Sequence, residues 1–98
     1  MPSEKVAVRF LGLPSEADLE PGEFRTVLEE GATVADLLAG MAAAASGKER
    51  LVLDAGRGTL RPEFLLTLNG RFLEKSRFAS TVLKDGDTVE VFPVPSGG

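Results

Sequence analysis

The C-terminal residues are the part of this sequence whose types and order suggest chemistry. Residues 93–98 read Pro-Val-Pro-Ser-Gly-Gly and follow an alternating segment that predicts a final strand. Glycine has no Cβ, so a Gly-Gly ending can enter a channel too narrow for other residues. The α-carboxylate of Gly98 is ionised at neutral pH. We therefore expect a carboxylate on a flexible stalk, presented to another enzyme; the alternative is a frayed terminus without a chemical role.

Composition limits the chemistry that the rest of the chain can perform. The 98 residues, 43% of them hydrophobic, suit one small folded domain. The sequence has no Cys and no His, which excludes disulfides, thiolate metal sites and the commonest general base. An independent catalyst would depend on carboxylates, Lys, Ser or Thr, so we expect a protein that is not itself an enzyme.

Charge and hydropathy exclude two classes of partner. The net charge of −4 disfavours non-specific nucleic-acid binding. No apolar run approaches the roughly 20 residues of a membrane span, and the first ten residues lack a basic-then-apolar leader. We therefore expect a cytoplasmic protein with neither a nucleic acid nor a membrane as partner.

Two strands and a helix are predicted in the first half of the chain. Residues 5–11 and 24–29 alternate in polarity and predict an antiparallel hairpin around a Gly- and Pro-containing loop. Thr33 followed by Asp36 resembles a capping box and predicts the start of a helix. Gly40 costs about 1 kcal/mol in a helix relative to Ala, which suggests close packing on the sheet. Gly47 is expected to end the helix.

The second half predicts further strands. Residues 64–69 and 71–73 flank a turn at Asn69-Gly70, and residues 88–92 alternate as a last strand. Leu51 to Leu53 need cover from a helical extension or a short strand. The element order predicts an α+β fold of two layers, a mixed sheet packed on one main helix. Its first and last strands should be parallel neighbours at the sheet centre. Residues 1–92 would form this domain and residues 93–98 the flexible tail.

The predicted face of the sheet away from the helix carries a candidate docking patch. If Val89 and Val91 point to the core, Phe92 points outward. Arg9, Thr67 and Phe72 would share its face, although Phe92 could instead cover a sheet edge. The basic residues between positions 57 and 84 could steer an acidic partner; a solvated face is the alternative. Two further patterns, Asp85-Gly86-Asp87 as a metal site and Gly56-Arg57-Gly58 as a phosphate loop, are better interpreted as turns.

The order and spacing of several short stretches resemble one family over nearly the whole chain. These stretches are residues 8–10, 31–38, 60–62, 68–71, 83–89 and 92–98. Together they resemble the MoaD/ThiS sulfur carriers, prokaryotic relatives of ubiquitin that have the β-grasp fold. The Phe-Pro approach to Ser-Gly-Gly looks most like the small subunit of molybdopterin synthase. The stretch 48–63 makes the chain longer than compact members and similar to longer ubiquitin-like modifiers.

The resemblance implies a carrier cycle at the C-terminus. A ubiquitin-activating-type enzyme would use ATP to adenylate the Gly98 carboxylate, and a sulfur donor protein would convert it to a thiocarboxylate. The large subunit of molybdopterin synthase, or another acceptor, would take the sulfur. The carrier itself would bind no cofactor. The residues expected to bind partners are Arg9, Arg71, Phe72, Phe92, Pro95, Ser96 and Gly97.

Other acceptors and a different kind of function stay open at this point. The activated terminus could instead supply sulfur for tRNA thiolation, for thiamine synthesis or for cysteine synthesis. It could also be conjugated to lysine side chains, as in a ubiquitin-like modifier. A β-grasp interaction module whose terminus has no chemical role is a second hypothesis.

Overall fold

The computed structural model describes residues 3–11, 23–44 and 49–94, and of residues 23 and 24 it describes the backbone alone. These ranges form strands, two α-helices and a 3₁₀ helix, Lys75–Ser80. The α-helices are α1 (Val34–Ala43) and α2 (Glu49–Val52). The strands are β1 (Ser3–Phe10), β2 (Glu23–Glu29), β3 (Leu53–Asp54), β4 (Thr59–Leu60), β5 (Phe64–Leu68), β6 (Arg71–Phe72) and β7 (Thr88–Pro93).

Five of the strands form one mixed sheet in the order β2-β1-β7-β5-β6. β1 pairs antiparallel with β2 and parallel with β7. β5 pairs antiparallel with both β7 and β6. The predicted hairpin and the parallel pairing of the first and last strands are therefore confirmed. β7 lies between two strands, so the segment that leads to the C-terminus is fixed from both sides.

Helix α1 begins as its sequence predicts. The Thr33 hydroxyl accepts a hydrogen bond from the Asp36 N–H at 3.1 Å, and the Asp36 carboxylate accepts one from the Thr33 N–H at 2.9 Å. This complete capping box satisfies two N–H groups that a helix terminus otherwise leaves without partners. The expected close packing at Gly40 is wrong, because a Cβ built there meets no described atom within 4 Å. The expected end of the helix at Gly47 is wrong, because α1 ends at Ala43 with Ala44 as its C-cap; Gly47 itself lies outside the described residues.

One hydrophobic core lies between the helix and the sheet. Val6, Val8 and Phe10 of β1 face it, as the alternation predicts, and so do Val89 and Val91 of β7. The other members are Val34, Leu37, Leu38, Ala42, Val52, Leu53, Leu60, Phe64, Leu66, Phe78 and Leu83. Met41 and Leu68 are half-buried at its margin. Leu38 is fully inaccessible to solvent, which makes it a central residue of the helix–sheet interface.

The segment 49–60 contains both structures that its apolar residues allow. α2 buries Val52, and β3 pairs with β4 in a separate two-stranded sheet that buries Leu53 and Leu60. Leu51 is 46% exposed, so the expectation that all three apolar residues 51–53 find cover is wrong for this one. A four-residue helix has only one buried side, and Leu51 lies on the other.

The turn before β7 is tied to two other parts of the sheet. The Asp85 carboxylate accepts a hydrogen bond from the Lys5 N–H at 2.7 Å. The Asp87 carboxylate accepts one from the Asn69 side-chain amide at 2.9 Å and one from the Lys84 N–H at 2.8 Å. Both aspartates are therefore turn residues, as expected. This network fixes where β7 starts.

The sheet extends one residue further towards the tail than predicted. Pro93 is the last residue of β7 and pairs with Phe64 of β5. Proline fits there although it has no N–H to donate. β1 pairs with β7 only as far as Val91, so no strand on that side would accept a hydrogen bond from position 93. In the described part of the chain, no helix is long and apolar enough to cross a membrane.

Candidate functional site

The base of the C-terminal tail is described as far as Val94. Its N–H donates a hydrogen bond to the carbonyl oxygen of Glu63 at 2.7 Å, just beyond the last strand pairing. The predicted site residues Pro95, Ser96, Gly97 and Gly98 lie outside the described residues. The structure therefore defines the point from which the terminal glycines start, four residues before Gly98.

The face of the sheet opposite helix α1 brings four predicted residues together. Thr67 of β5 pairs with Phe72 of β6, so their side chains lie on one face. Glu90 of β7 pairs with Thr67 on one side and Arg9 on the other. Phe92 follows two residues after Glu90 and therefore shares its face. We call the surface formed by Arg9, Leu65, Thr67, Phe72, Glu90 and Phe92 the open face.

A row of polar side chains crosses the middle of the open face. The Arg9 Nη1 atom lies 3.1 Å from Glu90 Oε2, and the Thr67 hydroxyl lies 3.4 Å from Glu90 Oε1. The Arg9 side chain is 46% exposed and that of Glu90 is 24% exposed. A pair this accessible to water contributes about 0–1 kcal/mol to stability. Its main effect is to hold the Arg9 guanidinium in a fixed position on the open face.

Apolar side chains extend this polar row at its β6 end and flank it on the side of the tail. Phe72 is 58% exposed. Phe92 is half-buried and pairs with half-buried Leu65 across β7 and β5. Val94, which is 40% exposed, follows two residues after Phe92. Aromatic and aliphatic surface beside an arginine is the composition that protein interfaces favour at their centres.

Arg71 lies apart from the other predicted binding residues. Its register partner is Leu68, which packs at the margin of the core. The side chain of Arg71 therefore leaves the backbone on the helix side of the sheet. Successive residues of a strand point to opposite faces, and Phe72 takes the open face. The structure therefore does not bring Arg71 into the same surface as Arg9 and Phe92.

Two of the basic residues between positions 57 and 84 donate hydrogen bonds to backbone carbonyls. Arg61 donates a hydrogen bond to the carbonyl of Arg50 at 3.2 Å, and Lys75 reaches the carbonyl of Arg61 at 3.4 Å. These contacts hold the 49–62 segment against the 3₁₀ helix. Arg71 lies at the far edge of the sheet. Steering of an acidic partner by this stretch stays a prediction.

The predicted docking patch lacks two members of the open face, Glu90 and Leu65, although the alternation of the last strand predicts that Glu90 points outward. Glu90 is 81 positions from Arg9, and only the parallel register of β1 and β7 brings them together. Leu65 is one of several apolar residues in a row, so its outward orientation cannot be distinguished from the pattern. Charge complementarity at matching positions of the first and last strands was the available signal for Glu90.

No metal site competes with this interpretation in the ranges that the structure describes. There, no cluster of three or more His, Cys, Asp or Glu residues could hold a metal ion. The sequence pattern around Asp85 and Asp87 is explained by the hydrogen bonds of their turn.

Solved structures with the same architecture define the class of fold. The HVO 2177 protein from Haloferax volcanii, known from a solution structure, is 27% identical to this chain, with a TM-score of 0.71. The match covers 98% of this chain and 88% of the HVO 2177 chain. A putative molybdopterin converting factor, subunit 1, from Pyrococcus furiosus is 26% identical, with a TM-score of 0.64, over 94% of this chain and 99% of its own. The protein therefore has the predicted ubiquitin-like β-grasp fold.

A third structure has the same fold at lower identity. The solution structure of small archaeal modifier protein 1 from Methanosarcina acetivorans is 22% identical, has a TM-score of 0.70 and covers both chains completely, at 100% each. At this identity the likeness concerns the fold alone. No curated protein matches the sequence.

The sequence match identifies the family. The model of the ThiS family matches residues 8–98, which is nearly the whole chain. The chain therefore belongs to the ThiS family, within the ThiS/MoaD-like, ubiquitin-like sulfur carriers. The resemblance predicted from the separate sequence stretches is confirmed at this level.

Proposed function

We propose that this protein carries sulfur as a thiocarboxylate at Gly98, in the synthesis of molybdopterin. The observation that carries the proposal is the extent of the family match, which runs through the terminal glycines to residue 98. The fold supports it, because the central strand β7 leads directly into those residues. In this role the protein is a substrate and carrier, and its partners supply the catalytic groups.

The carrier cycle starts with activation of the Gly98 carboxylate. A carboxylate oxygen attacks the α-phosphorus of ATP in an activating enzyme, and pyrophosphate leaves. The resulting acyl adenylate has AMP as a good leaving group. Sulfide delivered by a donor protein then attacks the carbonyl carbon, and the bond to AMP breaks as AMP leaves. The product is a thiocarboxylate, which can pass its sulfur to an acceptor.

The open face is the proposed docking surface for the activating enzyme and for the acceptor subunit. Phe92 and Glu90 lie on the strand that leads to the tail, so docking there fixes the origin of the reacting residues. Gly98 lies four positions after Val94, and this stretch spans at most about 14 Å when fully extended. The nucleotide site of a docked activating enzyme must therefore lie within that distance of Val94.

The assignment to molybdopterin synthesis rests on the neighbour from Pyrococcus furiosus. Its name describes a subunit of a putative molybdopterin converting factor. By analogy, the large subunit of molybdopterin synthase would be the sulfur acceptor here. A second function, conjugation of Gly98 to lysine side chains as a modifier, stays open because it would start from the same activated terminus.

Removal of Gly98 tests the carrier function directly. The deletion should leave the fold intact, because a terminal glycine contributes little packing. It should abolish ATP–pyrophosphate exchange with the activating enzyme encoded by the same genome, because a misplacement of about 1 Å can cost roughly a hundredfold in rate. Appending one alanine after Gly98 should have the same effect. Melting curves of the three proteins provide the control.

Intact mass then separates the possible outcomes. Incubation with the activating enzyme, ATP and inorganic sulfide should exchange one oxygen for sulfur at Gly98. Transfer of that sulfur to the pterin precursor by the large synthase subunit supports the molybdopterin assignment, whereas isopeptide products on lysine support the modifier. Full exchange activity without Gly98 would contradict both, and an interaction module would then be the better description.

A further inference from the structure

A second candidate interaction surface lies on the other side of the sheet, at the outer edge of β2. β2 is the first strand in the sheet order and pairs with β1 alone among the described strands. It is seven residues long. An exposed strand edge presents backbone N–H and C=O groups that can pair with an extended segment of another protein.

A groove separates this edge from helix α1. Thr26 and Leu28 of β2 border this groove on one side, and Gly40 and Met41 of α1 border it on the other. The groove has a volume of about 340 Å³. Half-buried Leu28 and Met41 form its apolar floor with Thr26 and Leu37. It can therefore accept aliphatic side chains from a strand added to β2.

Gly40 lies in this groove and has no packing role among the described residues. Glycine within a helix is less stable than Ala by about 1 kcal/mol. Open space surrounds the position where a Cβ would lie. The absence of a side chain lets another chain approach the helix backbone closely. Gly40 thus keeps open a groove that any larger residue would narrow.

The charges around the groove select the chemistry of the occupant. Asp36 lines the groove and also an adjoining hollow of about 420 Å³, whose other acidic residues are Glu29 and Glu30. All three are exposed. No Lys or Arg lines either hollow among the residues that the structure describes. Complementarity therefore favours a basic segment.

We propose that an extended, basic segment of a partner protein binds along β2 as an additional strand. Its alternate aliphatic side chains lie over Leu28 and Met41, and a basic side chain reaches Glu30 and Asp36. The groove lies on the helix side of the sheet, so this partner leaves the open face accessible. The protein can then be held by one partner while a different one occupies the open face. This proposal does not depend on the chemistry at Gly98.

A synthetic peptide tests the proposal in solution. The probe is acetyl-Arg-Thr-Val-Thr-Val-Thr-Arg-amide, in which valine and arginine share one face of a strand. Titration into the isotope-labelled protein should shift the backbone amide signals of β2 and α1 and saturate below about 1 mM, a weak but specific affinity. Signals of β5 and β6 should stay unchanged. The same peptide with glutamate in place of both arginines should not bind.

Two variants locate the binding. Gly40→Leu should lower the affinity for the peptide by at least about tenfold, a loss of about 1.4 kcal/mol, because the leucine side chain fills the groove. Glu30→Lys should also weaken peptide binding and reduce its salt dependence. Glu30 is exposed, so the fold should persist.

The opposite results would overturn the proposal. These are no saturable binding, unchanged affinity in both variants, or amide shifts confined to the open face. Dimerisation through β2 that excludes the peptide would identify a second copy as the occupant instead and would also refute a basic partner.

Discussion

Replacing Gly40 by alanine is expected to stabilise the protein, although glycine is the natural residue. Gly40 lies within helix α1, where Ala is favoured over Gly by about 0.8–1.0 kcal/mol. A Cβ at this position meets no described atom within 4 Å, so no clash offsets the gain. A gain of 1 kcal/mol raises the melting temperature of a domain of this size by about 4–8 °C.

Gly70 provides a matched control with the opposite sign. A Cβ there also meets open space, but the backbone has φ +83°. An L-residue in the left-handed region is destabilised by roughly 1–2 kcal/mol. Gly70→Ala should therefore lower stability, while Gly40→Ala raises it. The chemical change is identical and packing is absent at both sites, so the backbone conformation alone determines the difference.

Urea unfolding measures both variants in one experiment. The midpoints should move in opposite directions with an unchanged slope, because a changed slope would report a different unfolded state. The two free energies of unfolding should differ by about 2 kcal/mol, from the propensity and the backbone terms together. If Gly40→Ala is destabilising, the space beside Gly40 is filled, and the groove along β2 loses one of its supporting observations.

Three further substitutions test the core, the turn network and the open face. Leu38→Ala should lower the free energy of unfolding by about 2–5 kcal/mol, since Leu38 is fully buried; exposure of this residue would instead give a change near zero. Asp87→Ala should cost about 1–3 kcal/mol, because its carboxylate accepts hydrogen bonds from Asn69 and from a backbone N–H; an unchanged urea midpoint would contradict this. Phe92→Ala should weaken binding to the activating enzyme by about 2 kcal/mol or more in calorimetry. Val27→Ala, at an exposed position on β2, is the control. If Phe92→Ala lowers the melting temperature but leaves the affinity unchanged, Phe92 is a structural residue.

Local signals were sufficient to predict the elements that position the site. Thr33 and Asp36 are three residues apart, so a short stretch of sequence is enough to predict their capping box. Asn69 and Gly70 both adopt positive φ, which their residue types favour. Alternation in β1 and β7 likewise specifies which residues face the core. Each of these features depends on neighbours within a few positions.

Contacts between distant positions could not be predicted in the same way. The side chain of Asn69 bonds to Asp87 and to the N–H of Thr88, 18 and 19 positions away. The strand register creates these contacts. The face taken by Arg71 follows from its pairing with Leu68, which composition does not reveal. The groove beside Gly40 depends on where the helix packs, so the sequence alone suggested the opposite interpretation.

The register of β7 explains why the length of the tail should matter so strongly. A strand that slips by one residue turns every side chain to the other face of the sheet. In β7 such a slip would expose Val89 and Val91 to solvent and bury Glu90. Pairing on both sides opposes it further, because β1 and β5 would lose their registers together. The sheet therefore cannot compensate for a residue added or removed at Gly98, and the displacement falls on the carboxylate that we propose as the reacting group.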